Sequence, residues 1–154
     1  MLAVFKWFET TFLSVVIRSS SYLFPAIEVI HLLGLTVLLG AIVVLDMRLI
    51  GFGLRRQSIP RVAQVMTPLI WTGIGVSILS GGLLFMAEAV KCFDNAAFWF
   101  KMCCLAAALV FQGAIHRAIS SSGGIRPVPA KLAGTVSLLL WFGAGLGGRA
   151  IGFI

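Results

Sequence analysis

Four long apolar stretches, separated by short polar breaks, dominate the chain. A transmembrane helix needs about 20 mainly apolar residues to cross roughly 30 Å of hydrocarbon. Residues 25–50, 65–89, 95–118 and 131–154 each meet that length. Ser19-Ser20-Ser21 precedes the first stretch, Pro25 suits its opening turn, and Gly51 and Gly53 stop it. Pro60 opens an interfacial lead-in to the second stretch, and Pro68 marks a kink within it. Asp94-Asn95 is an N-cap pair for the third. The run Ser120-Ser121-Ser122-Gly123-Gly124, with Pro127 and Pro129 behind it, is the clearest loop. Residues 1–20 follow a different pattern, being too short for a span and interrupted by Lys6 and Glu9. Lys6, Thr10, Ser14 and Arg18 recur every four residues, with Phe5, Trp7, Phe8, Phe12 and Val16 between them. That spacing predicts an amphipathic helix lying in the membrane interface. A cleaved signal peptide would want a cleaner apolar core and a small-residue cleavage site. The expected fold is all-α: an integral membrane four-helix bundle with an amphipathic N-terminal interfacial helix, in a single domain covering 1–154.

Composition narrows the function classes. Of the 154 residues, 60% are hydrophobic and 11% charged, against roughly 45–50% and about 25% in a soluble domain. So few charges cannot cover the surface of a water-soluble fold of this size. A soluble enzyme, a secreted disulfide scaffold and a disordered tail are thereby excluded. The net charge of +7 does not point to nucleic acid, because the basic residues lie singly or in short groups beside apolar runs. Their placement is topological instead. Arg48, Arg55, Arg56, Arg61, Arg117, Arg126 and Lys131 fall on one side with a single acid, Asp46. Lys6, Arg18, Lys91, Lys101 and Arg149 fall on the other with Glu9, Glu28, Glu88 and Asp94. The positive-inside rule then predicts a multi-pass protein of a bacterial inner membrane with both termini periplasmic. Cys103 and Cys104 are adjacent in an apolar run and read as small buried hydrophobes; Cys92 sits near a loop as a free thiol.

Charged groups within spans are costly and are read first as functional. Glu28 and His31 are three apart, hence neighbours on one helix face in the outer third of the first span. At about 1.5 Å per residue, Lys101, Arg149 and Glu88 reach a similar depth on the other three spans. These residues predict an outer-leaflet polar cluster, serving either as a structural ion-pair network or as a ligand site. His116 lies near the inner end of the third span, roughly 15 Å deeper than His31, so one porphyrin iron cannot take both histidines. His31 with Met86 is the haem pairing that depth allows. Gly81 and Gly82 would make room for the macrocycle, and Lys101 or Arg149 would pair its propionates. Glu28 and His31 alone are too few for a closed metal site, so no metal is expected. Asp46 and Arg48, two apart, do not face each other; Asp46 is expected to meet Arg117 or Arg126, and Arg48 to reach headgroups. The many glycines let helix backbones approach closely. No catalytic triad, carboxylate pair or Cys–His dyad can be assembled, so no enzyme is expected.

Read together, Pro25-x-x-Glu28-x-x-His31-x-x-Gly34, Asp46-Met47-Arg48-Leu49-Ile50-Gly51, Pro68, Thr72-Gly73, Leu84-Phe85, Phe98-x-x-Lys101 and Gly148-Arg149 form one ordered pattern. Nearly the whole chain resembles a family of small bacterial four-helix membrane proteins of unknown function. Met47 and Ile50 depart from the Asp-Leu-Arg-Leu-Leu-Gly form more usual there. The resemblance implies the fold, the topology and the choice of Glu28, His31, Asp46, Arg48, Lys101 and Arg149, and it supplies no activity. Three functions stay open. The first is a binding or accessory subunit of a larger, redox-linked membrane assembly, with the bilayer and other membrane subunits or a second copy as partners. The second is a haem b-carrying electron-transfer protein using His31, and the third is a small transporter or ion pathway.

Overall fold

The computed structural model describes residues 2–53, 56–120 and 127–151. Among these are seven helices: α1 (Leu2–Thr10), α2 (Phe12–Ser19), α3 (Leu23–Ile50), α4 (Ile59–Ala87), α5 (Ala89–Phe93), α6 (Ala96–Ser120) and α7 (Pro127–Ala150). Four of them, α3, α4, α6 and α7, are long and apolar enough to cross a membrane. The Ser121–Gly124 part of the loop, Arg55, Arg126 and the last residues of the fourth span lie outside the described residues. The helix α4 starts six residues before the expected span, taking the Pro60 lead-in as its first turn.

The long helices pack as a ring in chain order. The α3–α4 contact is the most extensive, followed by α6–α7 and α3–α7, while α4 and α6 meet only lightly. Consecutive helices in the ring are antiparallel neighbours. The core runs through its inner half, from Leu38, Ile42, Leu45 and Leu49 of α3 to Val62, Ala63, Ile70 and Ile74 of α4 and Ala108, Ile115 and Trp141 of α6 and α7. Large apolar side chains such as Val29, Leu33, Leu79, Val110, Leu139 and Leu146 face outward, as expected where the solvent is lipid.

Lipid tails are as apolar as leucine, so helices associate by close packing rather than by hydrophobic expulsion. Glycine provides that packing here. A Cβ on Gly73 would lie 2.9 Å from the main chain of Leu38, and one on Gly34 would lie 2.8 Å from Val76. On α7, a Cβ on Gly134 would lie 2.8 Å from the Asp46 carbonyl oxygen, and one on Gly147 would lie 3.2 Å from the Lys101 Cα. Gly51 has a different role. With φ 91° it ends α3 in the left-handed region, where the Phe52 and Gly51 N–H groups donate to the Met47 and Arg48 carbonyls, a Schellman closure. The Arg48 Nε donates to the Gln57 carbonyl at 2.7 Å and clips the following loop.

The N-terminal segment is two helices rather than one, broken at Thr11. It is sewn to the break between α4 and α5. The Ser14 hydroxyl, 0% exposed, donates to the Met86 carbonyl at 2.9 Å, an acceptor that the end of α4 leaves without an intrahelical partner. The Val90 N–H at the start of α5 donates to Glu9 Oε1 at 2.9 Å, and Glu9 also pairs with Arg18 at 3.7 Å. Phe5 packs edge-on against Phe85 and Phe93, and Phe85 stacks on Phe98. At the third span, Asn95 Oδ1 accepts from the Ala97 and Phe98 N–H groups as the N-cap.

Glycine's packing role predicts a contrast within one helix. Gly73→Ala should lower stability by about 1–3 kcal/mol, the usual cost of overpacking. Gly75→Ala, which faces open space, should be neutral or stabilising by up to about 1 kcal/mol. Thermal unfolding of both variants in one detergent checks this.

Candidate functional site

Each helix delivers a small number of polar groups to the outer end of the bundle, and they do not all converge. His31, on the third turn of α3, is the centre. Its Nδ1 lies 2.9 Å from Ser80 Oγ on α4, and Ser80 donates its only hydroxyl proton to the Val76 carbonyl at 2.6 Å. Nδ1 must therefore be the donor, giving its proton to Ser80 Oγ. The Ser77 carbonyl stands by as a further acceptor for the ring. In the neutral ring the lone pair is then on Nε2, free to accept a hydrogen bond or bind a metal. The imidazole lies over Gly81, where a Cβ would come within 3.0 Å of Cε1. The space at Gly81 is thus taken by the His31 ring itself, whereas Gly82 faces open space.

Two charges act on that ring: Lys101 from α6 and Glu28 one turn earlier on α3. Glu28 is exposed at the bundle surface. The Lys101 stem runs along Gly147 and Gly148, with Nζ 3.6 Å from where a Gly148 Cβ would lie. Arg149 follows immediately and points outward, exposed. Glu88, expected in the same cluster, instead pairs with Lys91 at 3.4 Å across the α4–α5 break. Met86 is six positions beyond Ser80 on α4, so its side chain leaves the helix on a different face from the one that holds His31. His116 is about 22 Å from Lys101 along α6.

Cys92, on α5, is buried behind this site. Burial pushes its thiol up from the usual range, and the Glu88 charge adds to that. A thiol kept protonated is a poor nucleophile.

Ser80 and the Ser77 carbonyl, which set the His31 ring, were not among the residues that the sequence pattern picked out. The signal available was Ser80-Gly81, a hydroxyl and a small residue side by side within an apolar helix; the Ser77 contact is made by its main chain, which leaves no mark in the sequence. At the inner end, Asp46 forms no ion pair with Arg117, one of its two expected partners; Arg126, the other, lies outside the described residues, and among those described both carboxylate oxygens are buried without a hydrogen-bond partner.

The ring assignment predicts a nitrogen NMR signature. His31 should show the Nδ1-protonated tautomer, and Ser80→Ala should convert it to a mixture while leaving His116, the other histidine, unchanged.

A family model described as a family of unknown function, DUF6644, matches residues 4–154. Among curated proteins and among solved structures, nothing matches.

Proposed function

The chain belongs to the DUF6644 family of unknown function, and from that premise we propose that it is a membrane-embedded binding subunit whose outer-leaflet site takes an amphipathic ligand through His31 and Lys101. The observation that carries this reading is the immobilised imidazole. An unused polar side chain in lipid would be free to turn; this one is locked by Ser80, seated on Gly81 and left with Nε2 as its open position. Lys101 adds a cation on the opposite side of the ring of helices. A quinol-like head group fits such a pair: one hydroxyl donates to Nε2 and the opposite oxygen accepts from the ammonium. Glu28 and Arg149 flank the mouth of the site. The distribution of basic residues supports an inner-membrane location with both termini periplasmic. A chain that binds a redox-active head group without catalytic residues suits an accessory subunit of a larger, redox-linked assembly.

Haem b is the second reading, and one observation favours it. Metal-ligating histidines almost always donate their other ring N–H to a fixed acceptor, as Nδ1 does here. His31 would then hold the iron, Lys101 or Arg149 would pair with the propionates, and the group would supply one-electron transfer; Met86, on another face of α4, would not join His31.

Purified protein titrated with a short-chain ubiquinone analogue should bind it saturably. His31→Ala and Lys101→Met should each weaken that binding about 10- to 100-fold, the loss expected for one charge-assisted hydrogen bond or a comparable polar contact. A Soret band lost in His31→Ala would transfer the site to haem. Neither quinone binding nor a Soret band would sink the outer-site reading.

A further inference from the structure

We propose that Asp46 is the anionic centre of a second site, in the inner half of the bundle, that binds a small monovalent cation, a proton or an alkali ion. The inference is independent of the outer site, since Asp46 lies about 22 Å further along α3 than His31.

Asp46 is 0% exposed, and among the described residues neither of its carboxylate oxygens has a hydrogen-bond partner. Its backbone is pinned by the close approach of Gly134 to the Asp46 carbonyl oxygen, so the side chain cannot swing out without parting α3 from α7. The carboxyl faces the Ser137 hydroxyl of α7, which is 1% exposed and equally without a partner. Further oxygen and N–H groups in the same buried interior stay unsatisfied: Gln112 Oε1 on α6 and Trp141 Nε1, one turn beyond Ser137. Asp46 and Ser137 thus place two unmet oxygen groups against each other between α3 and α7, in an otherwise apolar core.

A carboxylate held in such surroundings needs a countercharge, and the described residues around it do not supply one. On α3 itself, Arg48 is committed to the Gln57 carbonyl. From α4, Arg61 is exposed and bonded to Gln64, and the buried residues at its inner end, Val62 and Ala63, are apolar. From α7, Lys131 is exposed, with its stem beside Gly51. From α6, Arg117 is exposed and His116 half-buried. Among the described residues none of these forms an ion pair with Asp46. Asp46 also stands one turn from the C-terminus of α3, the end of a helix that disfavours an anion. One negative charge calls for one positive charge. A divalent metal is disfavoured, since the described residues hold no group of three metal-ligating side chains.

Thermal unfolding of the full chain in detergent tests this in two series: sodium chloride replaced by choline chloride at fixed pH, and pH varied at fixed salt. Binding to the folded state alone raises the unfolding temperature with ligand activity. The wild type should respond in the sodium series if the occupant is an alkali ion. If the occupant is a proton, the pH series should contain a component that Asp46→Asn removes. Asp46→Asn should be flat in the sodium series, or lack that pH component. Ser137→Ala should keep the response with a displaced midpoint. Identical curves for wild type and Asp46→Asn in both series overturn the proposal. Should Asp46→Asn fail to fold, Ser137→Ala decides: a midpoint equal to the wild type's overturns the site, and a displaced one supports it.

Discussion

The contact on which the rest depends is the approach of α3 to α4 at Gly73, where the glycine sits against the main chain of Leu38. In a bilayer, dispersion contact and satisfied polar groups must hold helices together, and both fall off steeply with distance. Bringing two backbones this close at one level fixes the register of both helices over their whole length. Two turns outward, that register sets Gly34 against Val76 and Ser77 and lays the His31 imidazole over Gly81. The His31–Ser80 bond is therefore a consequence of backbone packing as much as of the two side chains. A larger residue at Gly73 would displace the site some 12 Å away (about 1.5 Å for each of eight positions) without touching it.

The N-terminal helices serve the same frame from outside. The break between α4 and α5 leaves a carbonyl at Met86 and an N–H at Val90 that need partners, and Ser14 and Glu9 supply one each. Edge-to-face aromatic pairs such as Phe5 with Phe85 add about 0.5–1.5 kcal/mol apiece beyond their buried area. The segment is thus amphipathic in a particular sense: its polar positions meet the protein as well as the headgroups.

The number and placement of the long helices were legible because runs of apolar residues of membrane-spanning length have few other uses. The all-α class and the family pattern followed from the same runs. The local breaks were less so. Nothing in the pattern around Thr11 or Glu88 distinguishes a bent helix from two short ones, since both keep the same apolar periodicity. Which face of α3 turns inward was also hidden, because a helix apolar all round carries no stripe to read. That is why Asp46 reads from spacing as an interfacial residue seeking an arginine, while in the fold it points into the core. The glycines show the same limit. Their abundance announces close approach, but only coordinates tell that Gly81 accommodates an imidazole and Gly134 a backbone carbonyl.

Lys101 and Asp46 make an instructive pair, since each is a charged residue within an apolar span and their surroundings differ in sign. The Lys101 ammonium lies along Gly147 and Gly148, beside the C-terminal turn of α7, where the partial negative charge of a helix end favours a cation. Asp46 has the opposite circumstances: a helix end of the wrong sign, full burial, and a hydroxyl neighbour, Ser137, that is itself unsatisfied. A charge placed as Lys101 is can be carried by its surroundings whether or not a ligand is bound. A charge placed as Asp46 is weakens the bundle unless a cation or proton joins it. The asymmetry between the two ends is therefore itself the argument that the inner carboxyl is present for what it binds.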